Sequence, residues 1–183
     1  MSLPNRKRIR LLGYDYSRNG CYFVTICAAD RVEWFGQVRD GQMYLSEIGT
    51  IVKTQWQWLS DQYPYVNLDS FVIMPNHIHG IACIDRPVGA GLDRPVRLRP
   101  RTTARQAGGS SPAPTKWFPL SDLVGCFKTL SSRGIHKSGH PGFRWQRSFH
   151  DSIIRDTESL QRIRKYIADN PKNWHNDEDN LNR

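Results

Sequence analysis

Short β-prone runs alternate with longer stretches of helical spacing along this chain. Residues 21–28 hold Tyr22, Phe23, Val24, Thr25 and Ile26, all good strand formers, and predict the first strand. Residues 33–38 and 42–45 flank Asp40-Gly41, a tight-hairpin dipeptide. Ser46 then stands where a helix N-cap is expected, and Ile48, Ile51, Val52 and Leu59 follow at helical spacing. Trp56 and Trp58 close that helix and read as core and rim packing, with base stacking as the other use. Residues 66–74 and 77–84 predict two more strands, joined at Pro75-Asn76 so tightly that they must be antiparallel neighbours. Residues 120–135 carry Leu123, Val124, Phe127 and Leu130 on one stripe, with Ser121 as a cap. Residues 149–154 predict a fourth core strand. Asp156 caps a last helix that runs to Asn170, where Pro171 stops it and biases Asn170 out of the α region.

With the hairpin set aside, the order is βαββαβ. This is an α+β pattern: a ferredoxin-like (or RRM-like) split-βαβ antiparallel sheet with helices on one face. The added C-terminal helix must pack near the sheet to bury Leu160, Ile163 and Ile167. One domain over residues 1–183 is expected, interrupted by a flexible basic loop at about 86–115. That loop is rich in Pro and Gly, carries Arg94, Arg97, Arg99, Arg101 and Arg105, and cannot belong to the core.

Composition adds a partner. A chain of 183 residues can bury a core, and six Trp, seven Tyr and seven Phe supply its volume. The formal net charge of +9 suggests a polyanion, most simply nucleic acid. The arm bearing Arg6, Lys7, Arg8 and Arg10 reads as a phosphate-contacting segment or a solvated tail. No apolar run is long enough to span a membrane and no signal peptide opens the chain, so a cytoplasmic protein is expected. Cys21, Cys27, Cys83 and Cys126 show no Cys-x-x-Cys pairing and read as reduced thiols.

The chemistry concentrates at two places. His77 and His79 alternate along a strand and therefore share a face, with Ile78 directed to the other. Such a pair reads as metal ligands, or as two solvent-facing histidines. On the last helix, Tyr166 lies at the edge of the apolar stripe and Asn170 one turn further on. An unperturbed phenol has a pKa near 10, so attack at neutral pH needs help. Arg162, Arg164 and Lys165, together with a metal on the target phosphate, would supply it. The Asn170 carbonyl oxygen suits a hard divalent ion.

Taken in order, a set of motifs resembles the REP-associated tyrosine transposases, within the HUH single-tyrosine transposases and nickases. The set is Tyr14-Asp15-Tyr16, Tyr22-Phe23-Val24-Thr25, Met74-Pro75-Asn76-His77-Ile78-His79-Gly80, Gly125-Cys126-Phe127-Lys128, Trp145-Gln146-Arg147, Ile153-Ile154-Arg155, and Tyr166-Ile167 with Asn170-Pro171 and Trp174. The resemblance implies that His77, His79 and Asn170 hold a divalent ion, Mg²⁺ or Mn²⁺, and that Tyr166 is the nucleophile. It implies a transposase or nickase that cleaves single-stranded DNA beside a hairpin, keeps the 5′-phosphate on tyrosine, and works as a monomer or homodimer. The arm, Lys128, Arg147, Arg162 and Lys165 would contact DNA. In one place the chain departs from the family: the usual histidine before the Ile-Ile-Arg stretch falls on Ser152, with His150 two positions earlier on the same strand face. Two other readings stand beside this one. The first is a DNA-binding protein of the same fold without cleavage, which Ser152 leaves open. The second is an RNA-binding module, against which the histidines on a central strand argue.

Overall fold

The computed structural model describes residues 16, 18–86 and 117–181. The basic arm with Arg6, Lys7, Arg8 and Arg10, and nearly all of the expected 86–115 loop, lie outside them. The elements are β1 (Gly20–Cys27), β2 (Gly36–Arg39), β3 (Gln42–Leu45), α1 (Glu47–Gln62), β4 (Val66–Ile73), β5 (His77–Ile84), α2 (Leu120–Lys137), β6 (His150–Ile154) and α3 (Thr157–Asp169). A 3-10 turn at Pro171–Asn176 follows α3. The main sheet runs β4-β5-β1-β6 with every neighbouring pair antiparallel. Without β2 and β3, this is the expected split-βαβ arrangement.

Alternation gives the sheet two different faces. Tyr22, Val24 and Ile26 of β1 and Ile78, Ala82 and Ile84 of β5 are buried in the main core with side chains of α1 and α2. Gly80 belongs to this face, and a Cβ there would lie 2.7 Å from Trp56 Cζ2, so the indole of α1 rests on the strand itself. Trp56 in turn meets Phe127 of α2 edge-on, with ring centres 5.4 Å apart. Each such large side chain contributes about 1.5–3 kcal/mol by leaving water. Trp56 is thus a core residue and Trp58 a partly buried one at its rim.

Local chemistry sets the boundaries. Asp40 and Gly41 have φ of 50° and 69°, the doubly left-handed turn that matches strand twist, and they join β2 to β3 in a separate two-stranded ribbon. Ser46 Oγ accepts from the Gly49 N–H at 3.0 Å and donates to the Trp34 carbonyl at 2.7 Å, a cap worth about 1 kcal/mol. Asp156 caps α3 by accepting from the Ser159 N–H at 2.7 Å.

Helices α1 and α2 share one sheet face, as expected, and α3 packs near the sheet on the opposite face, where Tyr166 meets Phe23 and His79, which alternate away from the core. Three expectations change. Ser121 is not the cap of α2: Pro119 holds that place, where its missing N–H costs nothing, and Ser121 sits in the first turn. Pro171 does not force Asn170 out of the α region. Asn170 keeps φ −56° and ψ −45°, and the proline opens the 3-10 turn, where an N–H would have no partner. Lastly, Cys21 and Cys83 are not separate thiols but a disulfide. They stand directly opposite each other on β1 and β5, an adjacency that 62 residues of sequence separation conceal. Cys27 and Cys126 remain free, so the cysteine pattern no longer argues for a reducing compartment.

Candidate active site

The turn between β4 and β5 fixes the first histidine. The Met74 N–H bonds the His77 carbonyl at 2.8 Å, and the Pro75 and Asn76 carbonyls accept from Phe35 and Ala28 at 2.9 and 2.8 Å. Asn76 is fully buried by these contacts. Its Nδ2 donates to the carbonyls of Arg31 at 3.0 Å and Asp179 at 2.7 Å. Those two acceptors decide which way the amide points. Its Oδ1 is therefore the atom 2.8 Å from His77 Nδ1, and Nδ1 must be the donor. His77 Nε2 is left as a bare lone pair.

His79 is held in the same manner from the next strand. Thr25, its partner across β1, places Oγ1 2.8 Å from Nδ1, while Phe23 stacks on the ring at 5.4 Å. The two Nε2 atoms face each other at 3.0 Å. Burial pushes both imidazoles down to about 3, with Arg31 adding to the effect on His77 and His77 to that on His79, where Asp177 pulls the other way. A positive charge on either ring is thus disfavoured, and the paired Nε2 atoms are placed to hold a cation. A carboxylate oxygen of Asp177 completes a group of three ligand atoms within 4.8 Å of one another. This donor set of two neutral imidazoles and one carboxylate, with each Nδ1 anchored to an oxygen, fits a divalent ion.

Helix α3 brings Tyr166 to the same corner. Its hydroxyl lies 3.2 Å from His79 Nε2, and its ring meets Phe23 edge-on at 5.9 Å. Tyr166, His77 and His79 of one chain thus meet at this corner. The cations expected around the phenol do not set its acidity. Burial raises its pKa, the Asp177 carboxylate and Glu178 raise it further, and a hydrogen bond from Asn170 lowers it. Arg164 is engaged elsewhere, donating twice to Asp69. Asn170 itself is buried, and its Oδ1 has no hydrogen-bond partner.

Of the other residues expected here, His150 and Ser152 pair with Thr25 and Phe23, so both share the face of His79 one strand away, and both are exposed. Lys128 Nζ donates to the carbonyls of Gln146 and Ser148 at 2.9 and 2.8 Å, and burial lowers its pKa to about 8. Arg147 is exposed on that loop, and Arg162 and Lys165 on α3. Sequence reasoning named Trp174 but gave no role to the segment after α3 that borders the histidines. Trp174 lies 6.0 Å from the His77 ring, Asp177 joins the histidines, and Asp179 pairs with Arg31. The acidic run Asp177-Glu178-Asp179 in so basic a chain was the available signal.

No family model matches the chain. An uncharacterised protein of Haemophilus influenzae is 36% identical over 176 residues, spanning 96% of this chain and 93% of that one. Among solved structures, a REP-associated tyrosine transposase bound to a REP hairpin superposes with a TM-score of 0.56 at 16% identity, over 90% of this chain and 74% of that one. At that identity the likeness speaks to the fold. The chain therefore belongs to one family with the Haemophilus influenzae protein, and its fold is that of the REP-associated tyrosine transposases.

Proposed function

We propose that this protein is a metal-dependent single-strand DNA endonuclease and strand transferase, acting beside a DNA hairpin through a 5′-phosphotyrosine. The observation that carries the reading is the convergence of the Tyr166 hydroxyl and the paired histidine Nε2 atoms at one corner of the sheet. The charge of +9 supports a polyanionic substrate, and the structural neighbour was solved on a REP hairpin.

His77, His79 and Asp177, with Asn170 nearby in sequence, are the residues that would hold Mg²⁺ or Mn²⁺. Such an ion, when bound, supplies positive charge that offsets Asp177 and polarises a phosphate oxygen. The chain's own parts are these. Phe23 and the Asp69–Arg164 pair hold the tyrosine ring and its helix in place. The Tyr166 oxygen attacks the scissile phosphorus, the bond from phosphorus to the 3′ oxygen breaks, and the 5′-phosphate stays on tyrosine. The phenol loses one proton and the leaving 3′ oxygen gains one, so the exchange balances. A 3′-hydroxyl can reverse it, and no nucleotide triphosphate is needed.

A second reading, binding without cleavage, draws on two observations: Ser152 at the family's histidine position, and a phenol whose acidity burial weakens. One experiment separates them. Labelled hairpin-bearing single strands are incubated with the protein and Mn²⁺, and adducts are resolved on a denaturing gel. A covalent adduct on Tyr166, lost in Tyr166→Phe and in His77→Ala or His79→Ala, supports the nuclease. Retention of the adduct in Tyr166→Phe refutes the nucleophile, and absence of any adduct with the intact protein favours the binding protein.

A further inference from the structure

Beside the histidines lies a cleft of about 470 Å³ that the reaction above does not use. Its two walls are residues 28–31 and 144–147, tied together by two backbone bonds, Ala29 N–H to the Arg144 carbonyl at 2.8 Å and Gln146 N–H to the Cys27 carbonyl at 2.9 Å, which make the antiparallel bridge between Ala28 and Trp145. A volume of this order takes one nucleotide, not a helix. Two features mark the first wall. Asp30 and Arg31 are successive non-glycine residues at φ of 56° and 55°, a conformation that costs about 1–3 kcal/mol each and persists only when its surroundings demand it. The result is that the Asp30 carboxylate is exposed at the cleft, while the Arg31 side chain is drawn inward onto Asp179.

The second wall is cationic. Arg144 and Arg147 are exposed, and neither guanidinium is in an ion pair with a described residue. Gln146 sits between them with an exposed amide. Two free guanidiniums across from one carboxylate suit a ligand with an anionic end and a hydrogen-bond-donating end. A nucleotide whose base presents donors toward its Watson–Crick edge has that form, and guanine, with an N1–H and an N2 amine, offers two such donors to one carboxylate. The cleft also connects to the site. The Arg31 carbonyl accepts from Asn76, which orients His77, and Asp179 Oδ2 lies 3.7 Å from His77 Nδ1.

From these features we infer that the cleft is a base-reading subsite for a single-stranded guanine nucleotide flanking the scissile phosphate. Arg144 and Arg147 hold its phosphate, and Asp30 reads the base. The inference rests on the DNA-processing reading above but is tested apart from it, without cleavage. The full chain, ¹⁵N-labelled and free of divalent ions, is titrated with the trinucleotides d(TGT) and d(TTT). Amide shifts at 28–31 and 144–147, with d(TGT) bound at least about tenfold more tightly, are expected. Asp30→Asn should abolish the preference, so that the two trinucleotides bind alike. Arg144→Ala and Arg147→Ala should weaken both trinucleotides alike. Equal binding of the two trinucleotides, shifts confined to other surfaces, or an Asp30→Asn protein that keeps the preference would overturn the subsite. Adduct formation with intact hairpin strands is scored separately. An adduct without cleft shifts removes only the subsite, and cleft shifts without an adduct remove only the nuclease.

Discussion

At the scale of single residues, the question is what completes the histidine pair. Asn170 holds the sequence position that the resemblance assigns to the third ligand, and its buried Oδ1 lacks a partner. Asp177 is the residue whose carboxylate falls within 4.8 Å of both imidazoles. The two differ in charge, so they separate experimentally. Asp177→Asn is expected to raise the Mn²⁺ concentration for half-maximal adduct formation at least about tenfold, as loss of an anionic ligand from a divalent site does. Asn170→Ala removes the hydrogen bond that lowers the phenol's pKa, so it should move the rate's pH dependence upward with a smaller change in ion requirement. The opposite assignment of the two effects, read from ion titrations and pH–rate profiles, would return the ligand role to Asn170. The histidines themselves were legible because strand alternation is local. Asp177, Asn76 and Thr25 were not, because their roles come from long-range contacts: Asp177 lies a hundred residues from His77, and Thr25 reaches His79 only through the β1–β5 register.

At the scale of elements, α3 has to be held against the sheet for Tyr166 to reach His79. It packs on β4, where the register slips between Leu68 and Phe71. In that irregularity Asp69 takes two bonds from Arg164, from Nε at 2.8 Å and Nη2 at 2.5 Å. Arg164 is two residues from Tyr166, so the pair sets the helix's height and rotation. The Arg164 guanidinium beside Asp69 is the main reason its carboxyl is held down at about 2, with Ser70 adding two further bonds. A carboxyl whose folded pKa is depressed adds stability that is full above its unfolded value of about 4 and is lost as pH falls toward 2. The latch is therefore intact at neutral pH and opens only in acid. A pair this open to water is screened and adds little to global stability, so Asp69→Asn should lower the urea midpoint only slightly. It should cut the adduct-forming rate several-fold and flatten the acid dependence of stability below about pH 4. Exchanging the two charges, with Asp69→Arg and Arg164→Asp together, should recover part of the rate. A single mutant with wild-type kinetics would show that α3 is placed by apolar packing alone. The element boundaries that came right from sequence are those with a short-range cause: the Ser46 and Asp156 caps and the Asp40-Gly41 turn. The side of the sheet that α3 covers has no such cause, since its stripe of Leu160, Ile163 and Ile167 would bury equally well on either face.

At the scale of the whole molecule, charge and fold are expected to separate at residues 87–116, which lie outside the described residues. The residues on either side of them are fastened to each other. The Arg86 guanidinium lies 5.8 Å over the Trp117 ring and donates to the Phe118 carbonyl at 3.5 Å, while Asn19 bonds both the Arg86 N–H and its carbonyl, at 2.9 and 3.0 Å. Strand β5 and helix α2 are thus joined at the protein surface by contacts that do not involve residues 87–116. Those residues carry Arg94, Arg97, Arg99, Arg101, Arg105 and Lys116 against Asp93, a net five of the chain's nine formal charges. Replacing 87–116 by a short Gly/Ser linker should therefore leave the urea midpoint and the cooperativity of unfolding unchanged. Loop-closure entropy shifts by only about 0.6 kcal/mol per halving of length. The same replacement should weaken binding to hairpin-bearing single strands. It should also make the log–log salt dependence shallower by about 0.7 for each phosphate that the protein no longer neutralises. Affinity and slope measured from low to physiological salt, beside urea melts of the same two proteins, test both halves. A broadened melt would place part of 87–116 in the core. An unchanged salt slope would mean that the five charges touch no phosphate, and that the DNA footprint is confined to the sheet face and the basic N-terminal arm.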